Sequence, residues 1–336
     1  MSSIGIIANP ASGKDIRRLV SYATVIDNNE KVNIVKRIIL AAQAFGVEKA
    51  YFMPDTFCIG YTVQEDLSRE GVLTAGIEVL DMQLSASAAD STAATVMMES
   101  LGAGCILALG GDGTNRAVAA GIKKTPLIAV STGTNNVYPA MLEGTVAGMA
   151  AAAVAGMEDP YAPCIHDKRI ELAINGKDTD SALIDAALTE DLYAGTKAVW
   201  DISRIRCLVV SRCHPASIGF SAIAGCIDIV RDTDDWGLCL NFPEGESLPA
   251  GGKKILAPVA AGILTELTVS DCRRLNLEEE FVIKAGKPGM IALDGEREVQ
   301  VREGDTLSFR LRRSGPWRVD VRKALEMAQK NGMYNR

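Results

Sequence analysis

The sequence is poor in histidine, with two in 336 residues, and it contains no C-x-x-C pair. Its eight cysteines, at 58, 105, 164, 207, 213, 226, 239 and 272, are scattered. Cys213–His214 and Cys164-x-His166 come nearest to ligand pairs, but their spacing matches no common zinc pattern. No metal ligands are assigned, and the cysteines are expected to be reduced, buried apolar residues. Positive charge is also in deficit, with a net charge of −7. The Arg/Lys pairs at 17–18, 123–124, 273–274 and 312–313 are dispersed, which excludes the basic face of a nucleic-acid binder. The most lipid-like run, AGMAAAAVAGM (147–157), falls well short of the ~20 apolar residues of a membrane span. The opening MSSIGIIANP lacks the basic start and long apolar stretch of a secretory signal. A cytoplasmic protein with neither nucleic acid nor membrane as partner is expected. No internal repeat or low-complexity segment is present.

What is present is ample apolar material, 48% of the chain, and a length that suggests two domains. The first part alternates strand and helix signals. IGIIA (4–8), AYFM (50–53), GIEVL (76–80), CILAL (105–109) and PLIAV (126–130) are short apolar runs of the kind a parallel sheet buries on both faces. Residues 30–45 carry apolar positions at helical spacing and stop at Gly46. Residues 89–102 read as a second helix, capped by Asp90 or Ser91. This pattern predicts an α/β doubly wound, Rossmann-like domain over 1–156. After Pro160 the segments become short, alternating and broken by Gly, Pro, Asp or Asn, with Asn175-Gly176 near a hairpin turn. A β-rich, β-sandwich-like domain is predicted over 157–318. A closing helix over 319–336 is expected to pack back on the first domain.

Three loops carry the chemistry. ALGGDGTNR (108–116) follows an apolar run, as a phosphate-holding loop does. It is not the dinucleotide fingerprint, which would need glycine where Arg116 stands. NPASGKD is not a Walker A loop, because Asp15 occupies the Ser/Thr position. Gly110, Gly111 and Gly113 allow backbone N–H groups close to a phosphate, and Thr114 and Asn115 can begin a helix whose start favours an anion. Asp112 does not suit passive phosphate binding. It suits magnesium, or proton removal from an attacking hydroxyl; the alternative is a tight turn in which Asp112 makes a local hydrogen bond. Asn9, Ser12, Gly13 and Lys14 follow the first strand, and Gly133, Thr134, Asn135 and Asn136 follow the fifth, so all three loops should reach one sheet edge.

GGDGT, with NPxSGK upstream and GTNN downstream, resembles the NAD kinase/diacylglycerol kinase superfamily. Within it the chain is most similar to the acetoin-catabolism X protein (AcoX-type, ATP-NAD kinase-like) family, through 6–20, 107–119, 131–139, 217–225, 257–264 and 291–298. The resemblance implies an NAD kinase-like two-domain fold with a cleft, often a homo-oligomer, and ATP- and magnesium-dependent phosphorylation of a hydroxyl. It offers two bases, Asp112 or the acidic pair Asp294 and Glu296; a charged hairpin turn is the alternative for that pair. Two segments depart from the NAD kinases. Their Asn-Glu pair reads Thr189-Glu190 here, and IGFSAIAG only echoes their Gly-Ser-Thr-Ala-Tyr. A small-molecule acceptor is therefore expected, NAD or a small metabolite linked to acetoin or diol catabolism, with lipid disfavoured. The rival reading is a non-catalytic sensor of a nucleotide or dinucleotide. A weaker third, a dehydrogenase, could draw only on His166 and His214 as acid/base.

Overall fold

The computed structural model describes residues 2–12, 24, 26–190, 204–244, 250–295 and 297–335. In chain order the first half forms β1 (Ser3–Ala8), α1 (Asn28–Ala44), β2 (Lys49–Phe52), α2 (Ile59–Arg69), β3 (Gly76–Val79), α3 (Ala88–Ser100), β4 (Cys105–Gly110), α4 (Asp112–Gly121), β5 (Leu127–Ser131) and α5 (Gly144–Ala155). Strands β1, β4 and β5 are buried at every residue, as burial on both faces requires. On one face Ile4, Ile6, Leu107 and Val130 meet α1 and α5. On the other Ile7, Ile106 and Ala129 meet α3 and α4. The cap of α3 is Ser87, not Asp90 or Ser91. Ser87 and Asp90 form a reciprocal capping box, which satisfies donors at both ends of the first turn.

The second half adds β6 (Cys164–His166), β7 (Arg169–Ile174), β8 (Lys177–Ala182), β9 (Asp185–Thr189), β10 (Ile205–Val210), α6 (Phe220–Gly225), β11 (Trp236–Asn241), β12 (Lys253–Ala260), β13 (Ile263–Val269), β14 (Asp271–Asn276), β15 (Glu280–Lys284), β16 (Gly289–Leu293), β17 (Arg297–Val301), β18 (Thr306–Arg312), β19 (Trp317–Val319) and α7 (Val321–Lys330). Two antiparallel sheets, β14-β11-β10-β9-β16-β17 and β15-β18-β7-β8, enclose a core that includes Ile170, Val209, Ile291 and Phe309. The hairpin β12–β13 and α6 cover the outer face of the larger sheet.

The first sheet runs β3-β2-β1-β4-β5-β19-β6. Its last two strands come from the far side of the predicted boundary, so the chain crosses between the domains twice. Helix α7 returns with them and places Ala324 in the first core. The strand order reverses between β1 and β4, which pair in parallel. Ligands of open α/β sheets bind at that switch, outside the carboxyl ends of the strands.

Candidate active site

The loops that leave β1, β4 and β5 meet at this switch. Ala8 pairs with Leu109, and Gly110 with Ser131, so the three exits lie side by side. Side chains then knit them together. Asn9 Nδ2 donates to Thr114 Oγ1 at 3.0 Å, and the Ser12 and Thr132 hydroxyls lie 3.1 Å apart. Thr134 Oγ1 accepts from the Thr24 N–H at 3.0 Å, and within the loop after β5 Asn136 Nδ2 donates to Ser131 Oγ at 2.8 Å. Gly13 and Lys14 lie outside the described residues.

The helix α4 begins at Asp112 with Gly111 as its N-cap, two residues earlier than Thr114. Gly110 and Gly111 are needed for space. A Cβ on Gly110 would stand 2.5 Å from the Thr114 side chain, and one on Gly111 would stand 2.9 Å from Asn136 Oδ1. No side chain caps α4, so Gly113 and Thr114 present first-turn N–H groups of the sort that favour an anion.

Asp112 is half-buried and acts across the loop cluster. Its Oδ1 accepts from the Val137 and Tyr138 N–H groups at 3.0 and 2.8 Å, and Oδ2 accepts from Val137 at 3.1 Å. One carboxylate thus fixes the loop after β5 against the start of α4. Two amide oxygens nearby in sequence, Asn115 Oδ1 and Asn135 Oδ1, are buried with no partner among the described residues. Such atoms are costly unless a ligand or water satisfies them.

Asp294 is placed differently. It is buried to 4% exposure. It ends β16 in the left-handed region at φ 49°, followed by Gly295 at φ 67°, a conformation that Asp and Gly tolerate best. Its Oδ1 accepts from Leu183, Ile184 and Asp185 N–H groups at 3.1, 2.8 and 3.3 Å. Leu183 and Ile184 sit in the core beneath α3 and α4, so Asp294 shapes the seam between the domains. Burial raises its pKa above the ordinary carboxylate range, against the pull of Arg116 and the three N–H groups. Glu296 lies outside the described residues.

Three residues to which the motifs gave no site role complete the frame. Lys31 is 1% exposed and donates to the Asn9 and Ser12 carbonyls and to Asn28 Oδ1, at 2.9, 2.9 and 3.0 Å. Its place on the apolar stripe of α1, four before Val35 and seven before Ile38, was the available signal. Arg116, at 8% exposure, crosses the seam and donates to the Leu293 carbonyl at 3.1 Å. Tyr138, at 4%, donates its hydroxyl to Asp167 at 2.7 Å. The remaining sequence candidates are occupied elsewhere. Glu190 holds Arg206 through two bonds of 2.8 and 2.9 Å, and this contact lowers its pKa. His166 stacks on Trp317 at 4.2 Å, and His214 Nδ1 accepts from the Ala216 N–H.

Residues 4–157 match the model of the ATP-NAD kinase N-terminal domain, and residues 168–314 match that of the acetoin catabolism protein X C-terminal domain. The chain thus has an NAD kinase-like fold: a parallel-sheet α/β domain followed by an antiparallel β-rich one. Among solved structures, yeast NADH kinase complexed with NADH is similar at 13% identity over 98% of this chain and 88% of that one, with a TM-score of 0.49. A candidate diacylglycerol kinase from Bacillus anthracis is similar at 12% identity over 94% and 98%, with a TM-score of 0.43. No helix among the described residues is long and apolar enough to cross a membrane. Acetoin catabolism protein X of Cupriavidus necator is 32% identical over 334 residues, 97% of this chain and 92% of that protein. This chain therefore belongs to the acetoin catabolism protein X family.

Proposed function

We propose that the chain is an ATP- and magnesium-dependent kinase that phosphorylates a hydroxyl of a small molecule. The observation that carries this reading is the meeting of three polar loops at the switch between β1 and β4, with the unpartnered Asn115 and Asn135 oxygens among them. The phosphates of ATP would lie against Gly110, Gly111, Gly113 and Thr114, with Asn9, Ser12, Gly13 and Lys14 on one side and Gly133, Thr134, Asn135 and Asn136 on the other. Asp112 would accept the proton of the attacking hydroxyl. Phosphoryl transfer relies mainly on positioning and charge neutralisation, and this frame is built for positioning.

Magnesium in such chemistry is held by one or two carboxylates together with substrate phosphates. No three-residue acidic, His or Cys cage exists among the described residues, while Asp112 brings a carboxylate to the loop cluster. The donor set fits an ion that arrives with the triphosphate, where it would neutralise charge. Asp294, saturated by backbone N–H groups, serves as a brace in this reading, and Glu296 is the member of the acidic pair left to test.

Glu190 is taken up by Arg206, so it is a poor reader of a dinucleotide. This favours a small metabolite of acetoin or diol catabolism over NAD as acceptor. The same fact supports the second reading, a nucleotide sensor without turnover. We further propose a cytoplasmic homo-oligomer. The test is ADP release from ATP with NAD, NADH, acetoin, small polyols and diacylglycerol as acceptors. Turnover with one acceptor establishes the kinase; tight nucleotide binding without turnover across the set establishes the sensor.

A further inference from the structure

The loop that carries Asn135 and Asn136 continues into Tyr138, and Tyr138 touches two systems at once. Its backbone N–H donates to Asp112 Oδ1 at 2.8 Å, and its hydroxyl donates to Asp167 Oδ2 at 2.7 Å. Asp167 is fully buried between two guanidinium groups. Arg212 Nη2 reaches it at 2.9 Å from the end of β10, and Arg318 Nε at 2.9 Å from β19. Both arginines also pair with Asp232. Their guanidinium carbons lie 5.0 and 5.6 Å from the centre of the Tyr138 ring. Burial works against charge on Asp167, yet Arg212 and Arg318 hold its pKa below the ordinary range.

Arg212 belongs to the β-rich domain, Arg318 to the strand that returns to the first sheet, and Asp167 to the crossing between them. Their cluster therefore sits where the two domains join. A phenylalanine would fill the same volume as Tyr138, and a buried hydroxyl is tolerated only when bonded. Tyr138 is a rigid link, hydrogen-bonded at its backbone N–H and at its hydroxyl.

We propose that Tyr138 is a positioning residue that couples the backbone cradle of Asp112 to the charge cluster at the domain junction. A shift of the β-rich domain at Arg212 is then felt at Asp112, so the acceptor domain and the phosphate loops are set together. This rests on the reading of Asp112 as an active-site carboxylate, but the coupling itself can be measured without any turnover.

The experiment is hydrogen exchange by mass spectrometry on the full chain. Tyr138→Phe removes only the hydroxyl, and exchange at the Val137 and Tyr138 amides should rise about tenfold, the loss of one hydrogen bond's worth of protection. Peptides from β4 should keep wild-type exchange. Coupling is reciprocal, so Asp112→Ala, which removes both acceptor oxygens of the cradle, should raise exchange at the Asp167 and Gly315 amides, which bond to Pro316 and Asp167 carbonyls. Unchanged local exchange in both variants overturns the proposal, and so does a uniform rise that includes β4. If an acceptor has been found, Tyr138→Phe should lower kcat with the KM for ATP unchanged. Absence of turnover in the wild type removes the kinase reading and leaves the exchange result standing.

Discussion

Asp112 and Asp294 are both carboxylates beside glycine, and both are held by backbone N–H groups of a distant segment. They differ in what surrounds the cradle. Asp112 is half-buried at the mouth of three loops, where its N–H partners come from the same domain. Asp294 is sealed at a seam, with its partners beneath α3 and α4 and Arg116 nearby. The same chemical group thus holds a loop at the sheet edge in one place and fastens the seam between domains in the other. Burial separates the two cradles, with Asp294 at 4% exposure and Asp112 half-buried.

Asp112→Asn gives the sharpest test of this difference. It keeps the acceptor oxygen for the cradle and removes the base, so kcat should fall by roughly 10²–10⁴-fold, the usual contribution of a general base. ATP binding by calorimetry should stay near wild type. Wild-type turnover in this variant would remove Asp112 from the mechanism.

Asp294→Asn should act on stability instead, at about 1–3 kcal/mol in urea unfolding, with turnover kept in the folded fraction. The pH dependence has a definite sign. A carboxylate whose folded pKa is raised binds more protons folded than unfolded, so its contribution falls as pH rises from 3.8 through the folded value. The advantage of wild type over Asp294→Asn should therefore shrink across that window. An advantage that grows with pH overturns the brace as described.

Gly110→Ala tests the loop cluster itself. The added methyl meets Thr114 at 2.5 Å, and relieving such a contact costs about 1–3 kcal/mol. Thr114 must move away from Asn9, so affinity for ATP should fall along with stability. The smallest effect belongs to Ser87→Ala, remote from both carboxylates. Loss of this cap should cost about 1 kcal/mol and lower Tm with kcat and KM unchanged, the baseline for a purely structural change.

The first domain was readable because its signals are local. Continuous apolar runs mark strands buried on both faces, and GGDGT, NPASGK and GTNN mark the ends of three of them. The capping of α3 was misread because Ser87, Asp90 and Ser91 all suit a cap, and only Ser87 and Asp90 bond reciprocally. Strands β6 and β19 are three residues each, too short to declare a sheet, and their addition to β5 depends on the second domain being in place. The convergence of the three loops followed from strand order, whereas the bonds between them required coordinates.

By itself the sequence determined the two-domain plan, the motif loops and the family, because periodicity, turn residues and motif spacing are properties of neighbouring positions. Only the tertiary structure decided that Asp294 is sealed while Asp112 is not, that Lys31 holds the loop after β1, and that Tyr138 joins Asp112 to Asp167. Burial and hydrogen bonding between residues about 20 to 110 positions apart arise from packing, and no local pattern encodes them.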